Sequence, residues 1–212
     1  MATAGYISAA DLKSYIGLTG SGQDTNISNA ITAASRQIDR ICNRRFWQDS
    51  SVQVKTFTPI SNIFLEVPDI STTTGLIVKL DTTDDGSYDK TLTINTDFIV
   101  MPTNPILLGT GSGEHKPYTE TRILNTRSSE RFDPSIINNV QITAKYGFAI
   151  VPEAIEQATR IQALRLFKRK DTPYNVFGND ETGTIELFNK FDPDAMALLK
   201  DYRRQDLVGQ VL

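Results

Sequence analysis

The hydrophobic positions of the chain follow a helical period near both ends and a strand period between them. From Asp24 to about Arg44, apolar residues recur at steps of three and four, which predicts one amphipathic helix. A second helix is predicted from Pro152 to about Lys170. Proline is tolerated in the first turn of a helix, and basic side chains stabilise the last turn through the helix dipole. The apolar positions are Ile27, Ala30, Ile31, Ala34, Ile38, Ile41 and Cys42 in the first helix, and Ala154, Ile155, Ala158, Ile161, Leu164 and Leu166 in the second.

Two shorter helices are predicted outside these long ones. Ser8 and Asp11 have the spacing of a capping box, and Gly17 is placed to end the short helix that follows. Near the other end, the sequence Asp192-Pro193 is typical of the start of a last helix.

From Ser50 the hydrophobic period changes from 3.6 to 2. Alternation of apolar and polar residues predicts short strands with polar outer faces, arranged as an antiparallel sheet or a small barrel. Asp84-Asp85-Gly86 separates two of these strands and is typical of a hairpin turn. The alternating sets are Val52 and Val54, then Ile63, Leu65 and Val67, then Leu76, Val78 and Leu80; further strands are expected at Phe98–Met101, Thr121–Leu124 and Val140–Tyr146.

This pattern indicates an α+β fold in which a β-rich region interrupts a helical one. Residues 1–48 form the N-terminal helical part, 49–148 the β-rich insertion and 149–204 the C-terminal helical part. The glycine-rich stretch 103–117 within the insertion is expected to be a mobile loop, because it has no periodicity. Residues 205–212 form a tail.

Composition limits the functions open to the chain. It carries 22 Lys and Arg against 25 Asp and Glu, a net charge of −3, which disfavours a free-standing nucleic-acid binder. The single cysteine, Cys42, lies on the apolar stripe and is expected in the core, and one cysteine makes no internal disulfide. Neither a signal-peptide pattern nor an apolar run long enough to cross a bilayer is found, so we expect synthesis in the cytoplasm and no membrane partner.

The residues offer little for catalysis. His115 is the only histidine and lies in the glycine-rich loop, which lacks the rigid support that catalytic groups need. Gly109, Gly111 and Gly113 match neither the dinucleotide nor the P-loop pattern. The aspartates of 81–89 resemble a calcium loop, but Leu92 stands where a bidentate glutamate is required. We therefore predict no enzyme activity, no catalytic residue, no cofactor and no metal.

Basic residues on the two long helices are the main candidates for contacts with partners. Arg36, Arg40 and Arg44 lie four residues apart, so they are predicted to share one helix face. That face is either solvated, or meets carboxylates of a neighbouring subunit, or meets phosphates of passing DNA. The same alternatives apply to Lys168 and Arg169, although their position at the end of the second helix is explained more simply by the favourable interaction of cations with the helix dipole.

Several segments resemble the head–tail connector proteins of long-tailed bacteriophages, also called head-completion or adaptor proteins. The opening YISAADLKSYIGL (6–18) and the helix ITAASRQIDRICNRRF (31–46) are similar to the start of this family. AKYGFAIVPEAIEQA (144–158) and RLFKRKDTPYNVFG (165–178) are similar to its C-terminal helical part. Between them the likeness is confined to the strand and turn character.

The resemblance implies a helical bundle that carries an antiparallel β-rich insertion. It also implies a homo-oligomeric ring, commonly of twelve copies, located in the virion neck beneath the portal protein. Such a ring extends the channel through which double-stranded DNA passes without sequence-specific contacts, and it offers a surface to a stopper or tail-completion protein. The family has no known catalytic residues.

The composition agrees with this role, since an acidic ring would let DNA slide rather than hold it. The apolar tail is the candidate for portal docking, through Leu207, Val208, Val211 and Leu212. Three alternatives remain open: a tail-terminator or minor tail protein with a β-dominated fold, a small hydrolase that uses His115, and a DNA-binding regulator with a helix–turn–helix.

Overall fold

A computed structural model describes residues 5–104, 116–169 and 191–204, together with the backbone of two short strands at Val176–Phe177 and Ile185–Glu186. The described residues contain both α-helices and antiparallel β-sheets, so the predicted α+β class is confirmed. The chain divides into two compact units. The first comprises Met1–Asn43 and Val151–Arg204, and the second contains Arg44–Ile150.

Four α-helices form most of the first unit: α1 (Ala9–Ile16), α2 (Asp24–Cys42), α3 (Glu153–Arg169) and α4 (Pro193–Leu199). α3 packs against each of the other three helices, and α1 also contacts α2. A short 3-10 helix, Lys200–Tyr202, follows α4, and β8 (Val176–Phe177) pairs with β9 (Ile185–Glu186). The core of this unit is built from Ile7, Leu12, Ile27, Ile31, Ala34 and Ala163.

Local signals in the sequence set the limits of these helices. The capping box at α1 is confirmed, because the Ser8 hydroxyl accepts a hydrogen bond from Asp11 N and the Asp11 carboxylate accepts one from Ser8 N. Gly17 then ends α1 with a left-handed φ of 67°. Asp192 caps α4 through the backbone N–H groups of Asp194 and Ala195.

Seven strands of the second unit form two antiparallel sheets. One sheet has the order β1-β7-β3-β4 and the other the order β2-β6-β5. The β3–β4 pair confirms the predicted hairpin, with Val78 opposite Leu92. The strands are β1 (Gln53–Phe57), β2 (Phe64–Ile70), β3 (Ile77–Leu80), β4 (Lys90–Leu92), β5 (Phe98–Met101), β6 (Tyr118–Ile123) and β7 (Val140–Ala144).

One hydrophobic core joins side chains from both sheets. Phe98, Ile70 and Ile142 lie within it and are almost completely excluded from solvent. Tyr146, just after β7, is also buried there, and burial raises the pKa of its hydroxyl. The remaining members include Phe57, Leu65, Val67, Val78, Leu80, Leu92, Val100, Ile123, Phe132, Val140 and Ala144.

The incoming and outgoing segments of the second unit are held together side by side. Asp49 N donates to Tyr146 O at 2.9 Å, and the rings of Phe46 and Phe148 lie 4.8 Å apart between centroids. Gly147 has a φ of 101°, and a Cβ at this position would lie 1.8 Å from the Trp47 carbonyl oxygen. Only glycine therefore permits this approach of the two backbones.

Candidate assembly surfaces

The three arginines expected on one helix face do not share it. α2 ends at Cys42, where Asn43 adopts a left-handed φ of 50°, so Arg44 lies outside the helix. Arg36 remains on α2, where its Nε is 3.1 Å from Asp39 Oδ2 and its guanidinium lies 5.8 Å from the centre of the Tyr6 ring. The predicted stripe was wrong at Arg44 because asparagine tolerates the left-handed conformation that ends a helix.

Arg44 instead makes a bidentate ion pair inside the second unit. Its Nε donates to Asp69 Oδ2 at 2.9 Å and its Nη2 donates to Asp69 Oδ1 at 2.6 Å. The Arg44 side chain is 13% exposed and that of Asp69 is 7% exposed, so the pair is largely desolvated. The guanidinium also lies 5.0 Å from the centre of the Phe148 ring, within cation–π range. These contacts give Arg44 a structural role in fixing the start of the second unit.

A cavity of about 250 Å³ in the first unit is lined by three arginine side chains. Arg40 comes from α2, and Arg165 and Arg169 come from consecutive turns of α3. The side chains of Gln37 and Gln162 line the same cavity and are joined by a 2.7 Å hydrogen bond from Gln162 Nε2 to Gln37 Oε1. We call this cavity the arginine pocket; its other lining residues are Ile41, Leu166 and Phe191.

Arginine side chains supply the charge of the arginine pocket. Among its described lining residues none is acidic, and Arg165 Nη1 lies 3.5 Å from Asp192 Oδ2. Arg40 is exposed and has no ion pair within the part of the chain that the structure describes. Planar guanidinium groups bind carboxylates and phosphates through paired hydrogen bonds, so three of them around one cavity favour an anionic ligand.

Two of these three arginines are among the residues that the sequence analysis proposed for contacts with partners. Arg40 and Arg169 were among the predicted contact residues, and the fold brings them to one cavity, while Lys168 is exposed on α3 and does not line it. Arg165 was not among the predicted contact residues, although its spacing of four residues from Arg169 places both on one helix face.

An exposed apolar group lies on the outer face of the four-stranded sheet. Val54 pairs with Thr143, and Thr143 pairs with Ile77, so the two apolar side chains flank one position of β7. Val54 is 59% exposed and Ile77 is 44% exposed. Val52 adds a third exposed side chain close to Gly75. We call these three residues, Val52, Val54 and Ile77, the outer apolar row.

The alternation at β1 predicted that Val52 and Val54 face the core, and this was wrong, because both side chains are exposed. Phe57 and Lys55 face inward instead, and the Lys55 ammonium lies 4.3 Å from the centre of the buried Tyr146 ring. Burial and the nearby Arg45 charge lower the pKa of Lys55. β1 is an edge strand, and an inward-facing charge is a known device that prevents edge-to-edge pairing with other sheets.

The β3–β4 turn is an acidic projection fixed by its own backbone. The Asp81 carboxylate accepts hydrogen bonds from the N–H groups of Thr83, Asp84 and Gly86 at 3.1, 2.9 and 2.8 Å. Burial raises the pKa of Asp81, but the backbone donors outweigh burial and hold the pKa below its usual value. Asp84 and Asp85 are exposed at the tip. The carboxylate of Asp81 thus organises a turn, as the hairpin interpretation predicts.

Other predicted features lie outside the described residues. These are His115, the glycine-rich part of the predicted loop 103–117, and the tail residues Leu207, Val208, Val211 and Leu212. In the ranges that the structure does describe, no three His, Cys, Asp or Glu side chains are grouped to hold a metal ion. No helix in those ranges combines the length and apolar character needed to span a bilayer. Cys42 is fully buried and its predicted core position is confirmed.

Comparison with known proteins gives a match at the level of structure. One similar chain belongs to the neck of an empty gene transfer agent particle computed with C6 symmetry, with a TM-score of 0.52 and 11% sequence identity. A second belongs to the virion of a native gene transfer agent particle, with a TM-score of 0.50 and 13% identity. Each match covers 96% of this chain and 92% of the other. The chain is therefore similar in fold to these two particle chains. The likeness extends across both compact units rather than one of them.

No protein-family model matches the sequence. No curated protein matches it either. The identities to the two gene transfer agent chains are low, so the likeness describes the fold, while the function must be argued from the surfaces described above.

Proposed function

We propose that this chain is a head–tail connector subunit, of the head-completion or adaptor type, in the neck of a tailed bacteriophage or phage-like particle. The observation that carries the proposal is the fold likeness over nearly the whole chain to a protein of a gene transfer agent neck. The segments 6–18, 31–46 and 144–158 support it independently, because they resemble the connector family at the level of sequence.

In this role the chain acts by assembly. Subunits associate through two different faces, and such heterologous contacts close into a ring when the rotation between neighbours permits. A ring of twelve copies also possesses six-fold symmetry, the symmetry used for the gene transfer agent neck. The ring stacks on the portal protein, continues the DNA channel and offers its far side to a stopper or tail-completion protein. It resides in the virion after synthesis in the host cytoplasm.

The surface chemistry supports an assembly role. The outer apolar row exposes three β-branched side chains on one region of the sheet, and apolar side chains grouped at a surface favour burial against a partner. The net charge of −3 per subunit gives a ring an acidic field, which disfavours retention of DNA in the channel. Arg36, Arg40, Lys168 and Arg169 are then residues of the subunit interface or of the channel wall, and the tail 205–212 docks on the portal.

Electron microscopy of the protein mixed with its cognate portal tests the proposal. A ring stacked coaxially on the portal is the expected result. The variant Val54→Asp should weaken ring formation, because it places a charge in the outer apolar row, whereas Thr56→Asp on the same strand and face is the matched control. Particles in which the portal remains bare at saturating protein concentration would refute the connector role.

The competing functions predict different observations. A tail terminator was expected to have a β-dominated fold, and the four α-helices among the described residues count against it. A DNA-binding regulator predicts tight binding to short duplexes with a steep dependence on salt, which a connector does not require.

A further inference from the structure

We infer that the arginine pocket of one subunit receives the acidic β3–β4 turn of a second copy of this chain. The inference rests on the proposed ring function, because it names the charged contact that joins neighbouring subunits. Pocket and turn belong to different compact units of the chain, so the contact is heterologous and can continue from one subunit to the next.

The turn is suited to enter a recess because its shape is fixed in advance. Three backbone N–H groups converge on the Asp81 carboxylate, and the Asp89 carboxylate accepts hydrogen bonds from Thr82 N and Oγ1 at 3.2 and 2.7 Å. Asp84 and Asp85 remain exposed at the tip, where Asp85 also accepts a bond from Ser87 N. A preorganised turn loses little conformational freedom when it binds.

Charge complementarity selects this turn as the occupant. Residues 81–89 contain four aspartates and no lysine or arginine, while the described lining of the pocket includes three arginines and no acidic residue. Carboxylates at the tip can form paired hydrogen bonds with guanidinium groups, and complementary charges fix the register between partners. Arg40 and Arg169 are both exposed at the pocket, so an incoming carboxylate can reach them.

Duplex DNA is the competing anion. The pocket is a recess of about 250 Å³, whereas the phosphates of DNA lie along the convex outside of a stiff duplex and enter a recess less readily than the tip of a turn. The apolar wall made by Ile41, Leu166 and Phe191 also suits a protein segment more than a phosphodiester. The protein contact is therefore the one proposed, and DNA binding through the pocket is an outcome that the experiment distinguishes.

Charge reversal with complementation provides the first test. Arg40→Glu and Asp85→Lys should each reduce self-association of the full chain by about tenfold or more, measured by sedimentation velocity at low salt. An equimolar mixture of the two variants should recover it, because each reversed site then faces a complementary one. Arg127→Glu, an exposed arginine of the second unit, makes the same charge change and should leave association unchanged.

Disulfide trapping provides a second test that does not depend on charge. In a Cys42→Ala background, a mixture of Gln37→Cys and Asp85→Cys chains should form a covalent dimer under mild oxidation. Thr32→Cys, exposed on α2 but outside the pocket, replaces Gln37→Cys in the control and should not react. Circular dichroism verifies that each variant is folded.

The outcomes separate this inference from the connector role. Failure of the mixture to recover association, or equal trapping by the Thr32→Cys control, would overturn the inference. Loss of duplex binding in Arg40→Glu without any change in self-association would overturn it in favour of a DNA contact. If Arg40→Glu still forms complete rings on the portal, the connector role stands and the pocket contact is refuted. If the unaltered chain forms no rings there, the connector role itself fails.

Discussion

Replacement of Arg44 by alanine should destabilise the second unit by about 3 kcal/mol, because removing one partner of a buried ion pair leaves a desolvated charge behind. The side chain of Asp69 is only 7% exposed, so water cannot readily replace the two hydrogen bonds that Arg44 supplies. Loss of the cation–π contact with Phe148 adds a smaller cost, about 0.5–1 kcal/mol.

Arg45 provides a matched control one residue further along the chain. Its Nη2 lies 2.6 Å from Asp49 Oδ1, but its side chain is 35% exposed. Ion pairs of this kind contribute about 0–1 kcal/mol, so Arg45→Ala should cost much less than Arg44→Ala. The two substitutions delete the same side chain and differ mainly in the burial of the pair.

Urea unfolding followed by tryptophan fluorescence can measure both costs. Trp47 is the only tryptophan and belongs to the second unit, so its signal reports on that unit. At an unchanged m value, Arg44→Ala should lower the midpoint far more than Arg45→Ala. The reasoning would be refuted if the two variants unfolded at the same midpoint. In the double variant Arg44→Ala/Asp69→Asn the loss should be smaller than the sum of the single losses, since neither charge then remains buried alone.

Three further predictions follow from local geometry. Gly147→Ala should destabilise the second unit by more than about 3 kcal/mol in the same urea assay, because the new Cβ would overlap the Trp47 carbonyl. Gly86→Ala is the control: Gly86 also has a positive φ but lies in open space, so the substitution should cost only about 1 kcal/mol. Ser8→Ala should cost about 1 kcal/mol in thermal unfolding, because it removes one half of the α1 capping box. The pKa of Asp81 is lower in the folded chain than its usual 3.8, so its ionised carboxylate stabilises the fold above pH 3.8 and this stabilisation is lost as pH falls through the folded pKa. In Asp81→Asn the free energy of unfolding should therefore depend less on pH between about pH 5 and 2, which urea midpoints can measure.

The strongest periodic signals in the sequence predicted the elements best. α2 and α3 were located almost to their ends, and β5 was predicted with the bounds that the structure gives it. The hairpin turn was recognised from Asp84-Asp85-Gly86, whose residues tolerate the positive φ angles found at Asp84 and Gly86. These features depend on local chemistry that a short window of sequence contains.

Features that depend on long-range packing could not be predicted in this way. Asn43 ends α2 two residues early, and this sends Arg44 to Asp69, 25 positions away in sequence. At β1, alternation correctly indicated a strand but not which face is buried. Lys55 faces inward and contacts the Tyr146 ring, while Val54 faces solvent. The arginine pocket joins α2 and α3, which are separated by more than one hundred residues, so no local pattern contains it.

The glycine at 147 has a consequence for how this protein can change. By letting the backbone around Trp47 and the backbone after β7 touch, it brings the two points where the β-rich unit departs from and rejoins the chain next to each other. A module whose ends adjoin can be excised, transplanted or exchanged without stretching its host, as in successful domain insertions. The β-rich module of this chain is therefore a unit that a different module with adjoining ends could replace, while the helices that accept it are retained.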